Sequence, residues 1–176
     1  MHRRCTIMVL SVFWAGPALA SPHGWRQVSS VGRDVLIAAA LGVPAAQEDW
    51  SGTAEAAGSM GAAELLSLGL KEAFPERRPD GSDRKSFPSA HSAVSFAAAA
   101  SLDRRYGWKV GLPATVLAAL VATGRVEARK HHWYDVAAGA AIGEASGLLI
   151  TQRRDGARLL PWGDPHGGGV ALALRF

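Results

Sequence analysis

Gly124 to Asp135 reads GRVEARKHHWYD, a stretch that closes one apolar run and opens another. The run before it predicts a helix over about Leu112 to Val126, and the run after it a helix over about His132 to Gln152. Glu127, Arg129 and Lys130 form the polar break between them. With a helix starting near His131, Asp135 stands four residues on, one turn away on the same face, where a carboxylate orients an imidazole or supports charge on it. Arg125 stands six residues before His131, and its planar guanidinium fork suits phosphate oxygens. The trio has the parts of a phosphoryl-transfer site, with His131 as candidate nucleophile. A merely structural His–Asp pair would have the same spacing.

Outward from this stretch the chain reads as further helices. Asp34 is placed to cap a helix to about Ala46, interrupted near Pro44, after a short irregular lead from Ser21. An Ala/Gly-rich helix over about Ser51 to Phe74 has the small residues of close packing. Pro75 and Pro79 force a loop that ends at Pro88, and Ser89 is the expected N-cap of a helix over about Ala90 to Tyr106, broken at Gly107. The expected fold is therefore all-α, a single bundle of five helices. Val170, Leu172, Leu174 and Phe176 alternate at the period of a strand, so the C-terminus is expected to add one short strand or a packed tail.

Composition bounds what the site is built into. With 176 residues, 48% of them hydrophobic, one domain over residues 21–176 is expected. Residues 1–20 have a basic start at Arg3 and Arg4, an apolar middle and Ala18-Leu19-Ala20 before Ser21, the pattern of a cleavable signal peptide. Export to the periplasm or cell envelope is expected, with membrane anchoring as the alternative if the segment is retained. Cys5 lies inside that segment, so the mature chain has no thiolate site. Cleavage leaves 17 basic against 15 acidic residues, too mild a charge for a nucleic-acid partner. The apolar runs Val110 to Gly124 and Val136 to Ile150 are about 15 residues, short of the roughly 20 of a membrane span, and predict buried core helices, with peripheral membrane contact as a further expectation.

Two loops complete the candidate site. Lys71, six residues and then Arg78-Pro79 place two cations where the second helix runs out. Pro88-Ser89-Ala90-His91 opens the third helix, whose free N–H groups and dipole attract an anion. Singly these are ordinary helix ends.

In this order and spacing, Lys71…Arg78-Pro79, Pro88-Ser89-Ala90-His91 and Arg125…His131…Asp135 resemble the three-part motif of the type 2 phosphatidic acid phosphatase superfamily. That superfamily includes lipid phosphatases, bacterial non-specific acid phosphatases and vanadium haloperoxidases. The resemblance implies that His131 attacks phosphorus, Asp135 holds its ring and His91 protonates the leaving oxygen. It implies that Lys71, Arg78, Arg125, the Ser89 hydroxyl and the Ala90 N–H bind phosphoryl oxygens, with no metal or cofactor. Phosphoryl transfer asks mainly for positioning and charge neutralisation, which three cations and helix-end amides supply. The chain departs from the family in having Ala90 where Gly is usual and Gly124 where Ser is usual. The expected activity is hydrolysis of phosphomonoesters or terminal pyrophosphates, with lipid phosphates first among substrates. The alternatives are a vanadate-dependent haloperoxidase and a non-enzymatic envelope interaction module.

Overall fold

A computed structural model describes residues 21–154, 158–164 and 167–173. Residues 1–20, expected to be a signal peptide, and the tail positions Leu174 and Phe176 lie outside the described residues.

Five helices form, each started or stopped by an identifiable residue. Helix α1 spans Pro22–Ala46, because the Ser21 hydroxyl accepts from the Gly24 N–H at 3.1 Å and Pro22 is pre-set for the first helical position. This corrects the expected start at Asp34. Gly24, Ser29 and Gly32 are poor helix formers in isolation, but they are the buried face of α1, and a Cβ on Gly32 would lie 2.8 Å from a Val121 methyl. Helix α2 spans Trp50–Ala73 behind an Asp49 cap, and α3 spans Ala90–Tyr106 behind Ser89, as expected. Gly107, at φ 82°, ends α3, and α4 (Trp108–Glu127) begins at once rather than at Leu112. Helix α5 spans Trp133–Ile150.

Helix α3 is the centre of the bundle and packs on all four others. Its alanines Ala93 and Ala97 to Ala100 are buried, with Leu36, Met60 and Val121 among the side chains around them. Closest of all is α5. Gly139 and Gly143 face the α3 backbone so tightly that a Cβ would stand 2.4 Å from the Ser89 carbonyl and 2.2 Å from that of Ala93. The start of α5 is thereby pressed against the start of α3. At the opposite end, Arg105 ties α3 to Asp49 and Glu55 through ion pairs with side chains that are largely buried.

The tail is more than the single strand expected. Strand β1 (Arg158–Asp164) pairs antiparallel with β2 (Gly167–Ala173), with Pro161 opposite Val170.

Helices α1 and α4 are long and apolar enough to cross a membrane, and only 28% and 33% of their most apolar windows are buried in the bundle. The expectation of a buried core helix is corrected for the run Val110 to Gly124, because α4 extends past it at both ends, whereas the run Val136 to Ile150 lies in α5, which is not one of the two. Val31 and Val35 on α1 and Val116 and Leu120 on α4 face outward. Exposed tryptophans mark both ends of the bundle, Trp50 and Trp108 at one and Trp133 at the other, the placement found at membrane interfaces.

Candidate active site

The three motif segments converge at the end of the bundle where α2 and α4 finish and α3 and α5 begin. The spacing from Arg125 to His131 is set by how α4 stops. Arg129 takes a left-handed φ of 55°, and the N–H groups of Arg129 and Lys130 close on the carbonyls of Val126 and Arg125, a Schellman turn. The His131 N–H then also reaches the Arg125 carbonyl, at 3.3 Å. The turn brings His131 back beneath Arg125, with its side chain only 3% exposed.

Both nitrogens of His131 are accounted for. Nδ1 donates to the Ser86 carbonyl at 2.8 Å, so the ring proton sits there and Nε2 keeps its lone pair. Nε2 lies 3.4 Å from Arg78 Nη1, a donor only. Asp135 is close but not bonded to the ring: its Oδ2 is 3.6 Å from Nδ1. That oxygen accepts instead from the Ser86 hydroxyl at 2.5 Å and from the His132 N–H at 2.8 Å. Burial pushes the His131 pKa down, with the Arg125, Arg78 and Lys71 charges adding to it and Asp135 opposing it. Burial would push the Asp135 carboxyl up, yet His131, the Ser86 hydroxyl and the His132 N–H hold it at about 2.

Arg78, Arg125 and His91 line one cavity of about 300 Å³. Arg78 is braced by Asp83, at 2.7 Å from Nε, and by the Lys130 carbonyl at 3.1 Å. Arg125 is buried, and its guanidinium has no hydrogen-bonded or ion-paired side-chain partner among the described residues. Lys71 is also buried, but its ammonium donates to the carbonyls of Lys85, Ser86 and Pro88. It fastens the loop that carries Ser86 to the end of α2, and burial draws its pKa down to about 8. Ser89 is fully buried, its hydroxyl capping Ser92 at 3.4 Å and its N–H bonded to the Asp135 carbonyl at 3.0 Å. Ala90 is the first helical residue of α3 with a negative φ, so its methyl introduces no backbone strain and its N–H is at the helix end.

Gly124 also has a physical account. A Cβ there would stand 3.0 Å from the Ser29 Cβ and 3.2 Å from the Trp25 carbonyl, so α1 occupies the space a serine would need.

Residues that sequence reasoning missed come mainly from α1 and the proline-rich loop. Arg26 and Ser30 line the cavity. Arg33 Nη1 lies 3.2 Å from His91 Nε2, which must then accept and carry no proton. Burial and the Arg125, Arg33, His131 and Arg78 charges bring the His91 pKa down to about 3. Arg26 and Arg33 went unseen because α1 was expected to start later; the Ser21-Pro22 cap was the available signal. Ser86 had none, since its carbonyl acts through backbone position. Glu76 also departs from expectation. It stands beside His132 and Asp135, the three offering ligand atoms within 4.8 Å of one another, with Glu76 hydrogen-bonded to Tyr134.

Several known proteins resemble this chain. Lipid A 4'-phosphatase of Helicobacter pylori is 33% identical over 122 residues, 63% of this chain and 62% of that protein. Lipid A 1-phosphatase of Porphyromonas gingivalis is 29% identical over 57% of this chain and 25% of that protein. The chain thus spans less than two thirds of the length of these relatives. Among solved structures, Aquifex aeolicus LpxE shares the fold at a TM-score of 0.63 and 20% identity, over 73% of this chain and 84% of that one. The Bacillus subtilis transmembrane PAP2-type phosphatidylglycerolphosphate phosphatase aligns at a TM-score of 0.58 and 26% identity, over 79% of this chain and 78% of that one. The PAP2 superfamily model matches residues 52–158, from α2 through the whole motif, and the chain belongs to the PAP2 superfamily.

Proposed function

We propose that the chain is a lipid phosphate phosphatase working through a phosphohistidine on His131. One observation carries the reading: Arg125 is a buried guanidinium without a partner among the described residues, beside His91 and Arg78. A buried charge left unpaired is costly, and a phosphoryl group in the cavity removes the cost. In the first step the Nε2 lone pair of His131 attacks phosphorus, the ester P–O bond breaks, and the departing oxygen takes a proton from the His91 imidazolium. Nδ1–H stays on the Ser86 carbonyl throughout, so the ring needs no change of tautomer. In the second step water attacks phosphorus, gives a proton to His91, and the P–N bond breaks. Arg78, Arg125, the Ala90 N–H and the Ser89 hydroxyl hold the equatorial oxygens, and Lys71 adds its charge from behind the loop.

The proton on His91 arrives with the substrate. Burial and the neighbouring guanidinium charges keep the empty site's imidazole neutral; a dianion offsets the second of these, so the pKa rises when the acid is needed.

A lipid substrate is supported by the names of the relatives and by the outward apolar faces of α1 and α4. We read those two helices as membrane-seated, with the cavity at the membrane surface. The test is release of inorganic phosphate from a lipid phosphate in mixed micelles, together with an acid-labile phosphoenzyme trapped by rapid quench. Release with no trapped intermediate would sink the phosphohistidine; no release from lipid or soluble phosphate esters would sink the phosphatase.

A further inference from the structure

We infer that one face of α1, carrying Arg26, Ser30 and Arg33, forms a second anion subsite that takes a second phosphate group of the same substrate. The inference rests on the phosphatase reading for what fills the first subsite, and it adds a selectivity determinant that the motif does not contain. All three residues lie before residue 52, where the family match begins. Their spacing of four and then three residues puts them on one helical face.

That face opens onto the phosphoryl site. Arg26 and Ser30 line the same cavity as Arg78, Arg125 and His91, and Arg33 touches His91. At about 300 Å³ the cavity is of small-ligand size and exceeds what one tetrahedral phosphate fills. The balance of charge points the same way. Asp83 pairs with Arg78, Asp80 with Lys130 and Asp34 with Arg33. Arg26 and Arg125 have no carboxylate partner among the described residues, although Arg26, Arg33 and Arg78 all bear on Arg125 electrostatically. Arg78, Arg125 and the helix-end donors at Ser89 and Ala90 suffice for the three equatorial oxygens of one transferring group. One phosphoryl group at Arg125 leaves Arg26 unmatched, and the Ser30 hydroxyl beside it is a ready donor to a second anion. An anion there also draws on Arg33, the cation that occupies His91 Nε2 in the empty site.

The experiment compares inorganic phosphate with methylenediphosphonate, whose P–C–P link cannot be hydrolysed, by calorimetry on the full chain in detergent. The wild type is expected to bind methylenediphosphonate about tenfold or more tightly than phosphate, as one or two added charge-assisted hydrogen bonds allow. Arg26→Ala combined with Arg33→Gln is expected to close most of that gap. Arg84→Ala, which removes an exposed charge of the neighbouring loop, should keep it. Equal affinities in the wild type, a gap that survives the double variant, or one that Arg84→Ala closes equally would each overturn the subsite. Phosphate release is measured separately. A gap without turnover would remove the phosphatase reading and leave the subsite standing, whereas turnover without a gap would remove the subsite alone.

Discussion

His131 Nδ1 donates to the main-chain carbonyl of Ser86 at 2.8 Å, closer than any approach it makes to Asp135. A carbonyl can only accept, so this bond alone selects the tautomer that leaves Nε2 free to attack. Asp135 works one step removed, by accepting from the Ser86 hydroxyl. Replacing Asp135 by Asn should therefore lower turnover by weakening support for charge on the ring, while the ¹⁵N shifts of His131 still report the Nδ1–H form. An Nε2–H form in Asp135→Asn would show that the carboxylate, not Ser86, sets the tautomer.

His131 and His132 are adjacent but occupy different surroundings. His131 is buried against Arg78, whereas His132 is partly exposed, stacked on Tyr134, with Nδ1 at 3.3 Å from Asp135. His131→Ala should lose at least about 10³-fold in turnover, as removal of a nucleophile does. His132→Ala should keep most of it. Phosphate trapped on His132 would reverse the assignment.

The depressed pKa of His91 has consequences for both stability and catalysis. Its folded value of about 3 lies below the ordinary 6.5, so between these the unfolded chain binds a proton that the folded chain refuses. Its contribution to stability is full above pH 6.5 and falls as the pH drops toward 3. Urea midpoints should show a shallower acid loss in His91→Gln than in the wild type. Saturating vanadate should raise the His91 pKa in an NMR titration; a value unmoved by vanadate would remove His91 as the acid.

The same imidazole should matter in proportion to the leaving group. An alkoxide needs a proton and a nitrophenolate hardly does, so His91→Ala should cost an alkyl phosphate about 10² to 10⁴-fold more in single-turnover phosphoenzyme formation than p-nitrophenyl phosphate. Equal losses on both would make His91 a binding residue only.

Gly124→Ser tests the packing of α1 on α4. The added Cβ meets the Ser29 Cβ at 3.0 Å and the Trp25 carbonyl at 3.2 Å, and the backbone contact has little room to give. We expect a loss of about 1–3 kcal/mol in stability, the usual range for overpacking. A variant as stable as the wild type would mean that α1 yields easily, and that the positions of Arg26 and Arg33 are soft as well.

Local chemistry was enough to determine most of the helical plan and the motif. Ser89 and Gly107 bound α3 because a cap and a positive φ act within a few residues, and Lys71, Arg78, His91, Arg125, His131 and Asp135 declare themselves by type and spacing. What needed the tertiary structure were contacts between segments distant in the chain. The Ser21-Pro22 cap starts α1, but the burial of Gly24 and Gly32 by packing is what offsets their weak propensity and carries Arg26 and Arg33 to the cavity. Ser86 meets His131 across 45 residues through a main-chain oxygen, an atom every residue has and no side-chain pattern can announce.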